Sequence, residues 1–227
     1  MIITMAKPTI NLYGIMILIS ITIGMFFVIY NLVKEHGFKI EFFEIFMLMF
    51  ISIIGCGMLY TYILEHKVGL SSYGGLIGAI LSAYLYERIT HKKYDLVKYT
   101  ILSLPLIYGI SKIGCFFAGC CYGIPYNGPL AMNYVDGLDH LVFPVQLLEV
   151  VSNIILFFIL LRFKNNKNIV PYTLVSTAAL KYCTDFLRSA HSSGYIVTSN
   201  QIVSIVIVLI GIVLFIIGGG KDEKESK

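Results

Sequence analysis

Charged residues are scarce in this chain, and their scarcity argues against a soluble fold. Only 13% of the 227 residues are Asp, Glu, Lys or Arg, against roughly 25% in an ordinary soluble domain. Hydrophobic residues make up 57%, and the mean hydropathy is +0.82. The net charge of +4 is small and belongs to short loops, so it indicates no nucleic-acid partner. We therefore expect one polytopic membrane domain over residues 1–220, followed by a charged cytoplasmic tail over residues 221–227.

Tryptophan and regular cysteine motifs are also missing. In the absence of Trp, the 16 Tyr residues are expected to supply the aromatic belt at the membrane interfaces. The five cysteines follow no Cys/His ladder, which excludes a recognisable disulfide framework. The first apolar stretch is too long for the core of a cleavable signal peptide, so we expect it to remain as an anchor.

Long apolar runs predict an all-α membrane protein of about seven transmembrane helices. About 20 apolar residues cross the hydrocarbon core as a helix. The third run is the least certain, because it is rich in small residues and suits a buried helix packed through Gly74, Gly75 and Gly78. A model with six spans therefore stays open. The predicted spans are residues 10–33, 41–64, 73–90, 97–117, 143–162, 169–188 and 199–218.

The distribution of basic residues predicts the orientation. Placing the N-terminus outside puts most of the 17 Lys and Arg residues in the cytoplasmic loops and tail. Such an excess is typical of the cytoplasmic side of membrane proteins. An odd number of spans then places the C-terminus in the cytoplasm, in agreement with the basic residues near that end.

Polar residues within the spans are the best functional evidence in the sequence. Ionisable groups there cost at least about 2.5–3.5 kcal/mol each and usually face a cavity or a partner. The predicted orientation places all the notable ones in the outer half of the bilayer. They are Tyr73, Lys112, Gln146, Glu149, Lys181, Asp185, Arg188 and Gln201.

Lys181, Asp185 and Arg188 repeat at a helical spacing, which predicts one shared helix face. Taken alone, they could form an interfacial cluster with snorkelling side chains. Together with Lys112 and Glu149 from other helices, they favour a polar cavity. Three cations against two carboxylates leave such a cavity a positive charge suited to a phosphate head group.

The segment from Gly109 to Gly123 is rich in glycine and cysteine. Its glycines could allow close helix packing, or they could break a helix where the chain lines a cavity. Cys115, Cys120 and Cys121 lack the paired spacing of a zinc site and have no nearby histidine, so no metal is expected. They either pack as small residues or include a reactive thiol helped by Lys112.

Several segments, in order from residue 13 to about residue 215, resemble the prolipoprotein diacylglyceryl transferase family. Tyr13-Gly14 resembles its first-helix Tyr-Gly, and the run Gly55 to Tyr60 its second helix. Tyr73-Gly74-Gly75-Leu76 resembles its His-Gly-Gly-Leu. Lys112 to Cys120 resembles the family's Arg-x-Gly-Asn-Phe-x-Asn-Gly-Glu, and Gly123 matches a further glycine of the family. Phe143 to Glu149 resembles its His-Pro-x-Gln-Leu-Tyr-Glu. Near the end of the chain, Lys181, Asp185 and Arg188 match its Arg-x3-Glu-x2-Arg, and Gln201 with Ser204 matches its Gly-Gln-x-x-Ser.

The same alignment shows five replacements at polar positions. Tyr73 stands for the family's histidine, Lys112 and Lys181 for two arginines, Cys115 for an asparagine and Cys120 for a glutamate. Lysine keeps the positive charge but loses bidentate phosphate recognition. Tyrosine, with an ordinary pKa near 10, is a poor general base unless a cation lowers it.

The resemblance implies a transferase that moves a diacylglyceryl group from phosphatidylglycerol, or a similar anionic phospholipid, to a thiol. The acceptor would be the lipobox cysteine of a prolipoprotein or another thiol, and no cofactor is implied. The site would open toward the outer leaflet of the cell membrane. Tyr73, Lys112 and Lys181 would be catalytic. Substrate contacts would come from Tyr13, Gly74, Gly75, Gly114, Cys115, Gly119, Cys120, Gly123, Gln146, Glu149, Asp185, Arg188 and Gln201.

Two other functions are compatible with the residues. An altered family member could bind phospholipid as an accessory protein or act on a different acceptor. A small transporter is a third class, but no inverted repeat of broken helices relates the two halves of the chain.

Overall fold

Helices dominate the structure, a computed structural model that describes residues 3–5, 12–66, 69, 71–134, 140–188 and 198–225. Two short strands, β1 (Ile3–Met5) and β2 (Met132–Tyr134), pair in parallel with Ile3 opposite Met132. The helices within these residues are α1 Leu12–His36, α2 Glu41–Glu65, α3 Ser72–Thr90, α4 Leu96–Leu102, α5 Leu104–Phe117, α6 Val145–Arg162, α7 Ile169–Asp185 and α8 Ser199–Glu225.

Five helical stretches among the described residues are long and apolar enough to cross a membrane. Many of their large side chains face outward, such as Phe26 with 62%, Ile51 with 67% and Ile216 with 65% of its surface exposed. Such extensive apolar exposure suits lipid rather than water. A multi-pass membrane protein is therefore confirmed, while the count of seven spans and the orientation stay predictions. The five stretches are Leu12–His36, Glu41–Ile63, Leu96–Phe117, Val145–Arg162 and Asn200–Ile217.

The predicted span over residues 97–117 is interrupted, because α4 ends at Leu102 and α5 begins at Leu104. Pro105 explains the interruption. Proline has no amide hydrogen for the carbonyl four residues earlier, here that of Ile101, and its ring crowds that oxygen. The amide of Ser103 still donates to the carbonyl of Tyr99 at 3.0 Å, so the first helix closes before the turn.

The chain forms two compact units, Ile21–Ser103 and Met1–Ser20 with Leu104–Lys227. In the first, α2 and α3 pack closely through small residues. A Cβ atom added to Gly74 would collide with the carbonyl oxygen of Cys56, and one on Gly78 with that of Ser52. A Cβ on Gly75 would lie in ordinary contact with Ile53, at 3.4 Å. The predicted packing of this helix through its glycines is thus confirmed.

In the second unit, α5 packs against α6, α7 against α6 and α8, and the segment after α5 is tied to the end of α7. The amide of Gly123 donates to the carbonyl of Phe143 at 2.9 Å, and that of Ile124 to the carbonyl of Leu187 at 3.0 Å. Val142 and Met132 exchange two backbone hydrogen bonds of 3.0 Å. These bonds tie the segment after α5 to the start of α6 and to the end of α7.

The prediction that Lys181, Asp185 and Arg188 share one helix face is wrong for Arg188. Helix α7 ends at Asp185, and Arg188 instead forms an antiparallel bridge with Gly123. The physical reason is the pairing of residues 187–188 with residues 123–124, which takes backbone groups that a longer helix would use.

Candidate functional site

A buried ion pair joins α5 to α6 at the centre of the second unit. The ammonium nitrogen of Lys112 lies 2.8 Å from Oε2 of Glu149, and their side chains are only 7% and 1% exposed. Two desolvated charges are tolerated inside a protein only when they are paired closely. Placing both residues on apolar helices that pack together satisfies that condition.

The second carboxylate oxygen of Glu149 accepts hydrogen bonds from two neighbouring hydroxyls. Tyr108 donates to Oε1 at 3.1 Å from α5, and Thr184 donates to it at 3.4 Å from α7. Three helices therefore converge on the carboxylate of Glu149. The two hydrogen bonds to Oε1 fix its position, and Oε2 remains to pair with Lys112.

Tyr108 also brings two lysines together. The ammonium nitrogens of Lys112 and Lys181 lie 4.7 Å and 5.3 Å from the centre of its ring, within the range of cation–π attraction. Lys181 interacts electrostatically with Lys112, Glu149, Arg188 and Asp185 as well. The charged residues of α5, α6 and α7, together with Arg188 just after α7, thus form one cluster, in which three cations face two carboxylates.

Asp185 connects this cluster to the start of α8. Its Oδ1 lies 3.6 Å from a guanidinium nitrogen of Arg188 and accepts from Asn200 at 3.3 Å, while Oδ2 accepts from Thr198. Gln201, which is 1% exposed, accepts from the amide of Thr198 at 3.0 Å. Gln201 therefore shapes the helix start that holds Asp185.

Gln146 lies one turn before Glu149 on α6 and is completely buried. Its amide nitrogen donates to the carbonyl of Cys120 at 2.8 Å and to the hydroxyl of Tyr134 at 3.3 Å. Its amide oxygen has no hydrogen-bond partner among the described residues. A buried acceptor without a hydrogen bond costs folding free energy. This oxygen could therefore accept a hydrogen bond from a bound substrate. Burial raises the pKa of Tyr134 to about 12, so its phenol stays neutral.

Three cysteines converge where the chain leaves α5. Of the two alternatives for the glycines of the Gly109 to Gly123 segment, a helix break does not occur at Gly109 or Gly114, because α5 runs through both and ends at Phe117. Gly119 has a φ of +65° and Cys121 one of +58°, which turn the chain back on itself. The sulfur atoms of Cys115, Cys120 and Cys121 all lie within 4.8 Å of one another.

Two glycines of the predicted site are required by close backbone approach. A Cβ on Gly123 would lie 2.6 Å from the carbonyl oxygen of Phe143 and 2.8 Å from that of Leu187. A Cβ on Gly114 would lie 2.9 Å from Met16 Cβ and 3.2 Å from the carbonyl oxygen of Tyr13. Tyr13 therefore contacts the site residues through its backbone, at the start of α1.

Tyr73, Gly74 and Gly75 lie in the other unit, in the first turn of α3. Ser71 caps this helix by accepting a hydrogen bond from the amide of Tyr73 at 3.3 Å. The ring of Tyr73 packs 6.4 Å from that of Tyr60, measured between centroids. These residues form a well-defined helix start, and their part in any reaction stays a prediction.

The structure adds polar residues that the sequence reasoning missed. Tyr108, Tyr134, Thr184 and Asn200 each donate to or accept from a predicted site residue. Tyr108 carried a usable signal, because it lies four residues before Lys112 and thus on the same face of α5. Thr184 precedes Asp185 directly, and only the packing of α7 on α6 shows that it reaches Glu149.

The comparison with known proteins agrees with these observations. A family model for prolipoprotein diacylglyceryl transferase matches residues 1–217. A phosphatidylglycerol–prolipoprotein diacylglyceryl transferase of Clostridium tetani is 28% identical over 160 residues, covering 65% of this chain and 63% of the relative. The corresponding protein of Helicobacter pylori is 31% identical over 178 residues, covering 70% of this chain and 61% of the relative.

The chain thus spans less than two thirds of the length of these curated relatives. Its match to the family model nevertheless covers α5, α6, α7 and the part of α8 up to residue 217, and so all the residues of the charged cluster. The resemblance drawn from the sequence motifs is confirmed, and the chain belongs to the prolipoprotein diacylglyceryl transferase family, whose members are transferases of lipoprotein biosynthesis.

Proposed function

We propose that this protein transfers a diacylglyceryl group from phosphatidylglycerol to the thiol of a prolipoprotein lipobox cysteine. The observation that carries the proposal is the buried charged cluster around the Lys112–Glu149 pair, where three cations outnumber two carboxylates. An excess of positive charge in a water-poor site stabilises an anionic phosphate far more than it would in water.

The reaction is a displacement at carbon. The acceptor sulfur, as thiolate, attacks the glyceryl carbon that carries the phosphate ester, forming a carbon–sulfur bond. The carbon–oxygen bond breaks, and its electron pair leaves on the phosphate oxygen as glycerol phosphate. The thiol proton passes to a base or to water before the attack.

Each charged residue has a part in holding the departing phosphate. Lys112, Lys181 and Arg188 supply positive charge to its oxygens. Glu149 and Asp185 orient those cations, as their 2.8 Å and 3.6 Å contacts with Lys112 and Arg188 suggest. Removing a donor aimed at a developing anion costs roughly 10²–10³ in rate in enzymes that have been studied this way.

Three other residues complete the proposal. Gln146 offers its unmet amide oxygen to a hydroxyl of the lipid glycerol. Tyr73 serves as an acid, a base or a hydrogen-bond donor, and Gln201 positions polar groups through the start of α8. The site faces the outer leaflet of the cell membrane, with the N-terminus outside, and the lipid and the lipobox peptide enter laterally between helices.

The test is mass spectrometry of lipid and peptide products after incubation of the purified protein with phosphatidylglycerol and a lipobox peptide. We expect a diacylglyceryl thioether from the wild type and from Lys112→Arg, which keeps the charge, and a loss of roughly 10²-fold or more in Lys112→Ala. Lys98→Ala is the matched control, because Lys98 pairs with the exposed Asp95 outside the cluster. Equal product from wild type and Lys112→Ala contradicts the role of Lys112.

Growth of a strain depleted of its own transferase gives an independent readout. Rescue by this chain supports transfer to lipobox proteins. Absence of both rescue and product, with phosphatidylglycerol still bound, would contradict the transferase and favour an accessory lipid-binding protein.

A further inference from the structure

We propose that Cys115, Cys120 and Cys121 form a three-thiolate binding site for a zinc ion. The spacing of these cysteines argued against zinc when only the sequence was considered. The fold changes that argument, because a tight turn after α5 brings all three sulfur atoms within 4.8 Å of one another. Sulfur ligands of a tetrahedral zinc ion, with bonds of about 2.3 Å, lie roughly 3.8 Å apart, so small rotations of the side chains close the site.

The protein around the cluster is built to hold this arrangement. Cys115 is buried at the end of α5, with 8% of its surface exposed. The carbonyl of Cys115 accepts from the amide of Cys120 at 3.2 Å, and the carbonyl of Cys120 accepts from the buried Gln146 at 2.8 Å. Cys121 has a φ of +58°, a conformation that residues other than glycine rarely adopt without a compensating interaction. A shared metal ion supplies that interaction.

The electrostatic surroundings also suit a thiolate site. Arg188 and Lys112 both interact electrostatically with Cys121. Three thiolates and one divalent zinc ion carry a net charge of minus one, which the neighbouring cations Lys112 and Arg188 stabilise. A zinc ion bound by neutral histidines would instead add positive charge beside three cations.

The position of the site suggests what its metal does. Three protein ligands with one open position are typical of catalytic rather than structural zinc sites. This part of the inference depends on the proposed function: the open position takes the acceptor thiol in place of water. The thiol loses its proton to that departing water, and the zinc-bound sulfur attacks the glyceryl carbon. The bond from that carbon to the phosphate oxygen breaks, and glycerol phosphate leaves with the electron pair. The thioether product, a weaker ligand than a thiolate, then leaves the metal.

This role accounts for three replacements together. Cys115 and Cys120 stand where the resemblance places an asparagine and a glutamate, and Tyr73 stands where it places a histidine. Zinc deprotonates a coordinated thiol outright. A chain with a metal that activates the acceptor in this way has less need of a histidine base.

Metal binding is tested on the purified full chain without lipid or peptide. We expect one zinc ion per chain by elemental mass spectrometry, and a thiolate-to-cobalt charge-transfer band when cobalt replaces zinc. Serine substitutions of Cys115, Cys120 and Cys121 should each weaken zinc binding by roughly tenfold or more. Cys56→Ser and Cys183→Ser are the matched controls and should bind zinc as the wild type does.

A second measurement uses the unaltered protein and so does not depend on how the variants fold. Zinc should protect Cys115, Cys120 and Cys121 from an alkylating reagent, while the exposed Cys183 remains reactive. Zinc content unchanged by all three substitutions, or no protection of these thiols, overturns the site. Zinc binding without any transfer refutes the proposed function but not the site. Undiminished transfer after zinc removal refutes the activating role alone.

Discussion

Removing either partner of the Lys112–Glu149 pair should destabilise the protein strongly, and removing both charges should restore much of the stability. At 2.8 Å the gross attraction is about 6 kcal/mol for an effective dielectric constant near 20. Most of that attraction offsets the desolvation of the two charges, so the pair itself contributes little net stability. A single removal, however, leaves a buried charge without its closest partner and typically costs about 3–5 kcal/mol.

The variants are Lys112→Met, Glu149→Gln and the two combined. Methionine keeps most of the length of the lysine side chain without its charge, and glutamine keeps an oxygen that can accept from Tyr108 and Thr184. We expect a loss of about 3–5 kcal/mol in Lys112→Met, and we expect the double variant to recover at least half of it. Activity should remain lost in the double variant, because the cation for the phosphate is gone.

The assay is unfolding in mixed micelles, followed by the loss of helical circular dichroism as a denaturing detergent is added. Since the chain contains no Trp, fluorescence offers only a tyrosine signal, and circular dichroism is the better reporter. If Lys112→Met is as stable as the wild type, or if the two single losses simply add in the double variant, the two charges are not coupled as their 2.8 Å contact indicates.

Three further predictions test separate contacts. Tyr108→Phe removes one hydrogen bond to a buried carboxylate but keeps the ring, so we expect a loss of about 1.5–3 kcal/mol in the same unfolding assay and an unchanged oligomeric state on gel filtration. Gly78→Ala forces apart α2 and α3 and should cost about 1–3 kcal/mol, whereas Gly55→Ala, with open space around it, should not destabilise. Gly123→Ala should increase amide hydrogen exchange at Ile124, because the added methyl group displaces the paired backbones, and unchanged exchange there contradicts the bridge to Arg188.

The helices could be predicted from the sequence because lipid enforces long apolar runs. The predicted start and end of α2 differ from the structure by no more than one residue, and α6 starts two residues later, after Pro144. The break between α4 and α5 at Ser103 could also have been predicted, from Pro105. It was missed because the apolar run continues through these residues. The hydrophobic run predicts the length of the membrane span, but it does not show where the span loses one backbone hydrogen bond.

The charged cluster was predictable for a different reason. Lys112, Glu149, Lys181 and Asp185 stood out because ionisable residues in apolar helices are expensive and must find partners. Their exact partners were not readable, since the choice between Glu149 and Asp185 for Lys112 depends on how α5, α6 and α7 rotate against one another. The cysteine cluster was hidden for a similar reason, because two residues with positive φ create the turn that assembles it.

The polar site also explains why α7 is a poor membrane span. Its 17 residues extend only about 25 Å, short of a hydrocarbon core about 30 Å thick. An extension to Arg188 would lengthen it, but it would break the backbone pairing with Gly123 that covers the site. Thr184 and Asp185 are buried against Glu149 and the start of α8 instead of facing lipid. Helix α7 therefore depends on α6 and α8 for its place in the membrane, and a loss of the charged cluster should loosen α7 before any other helix of this unit.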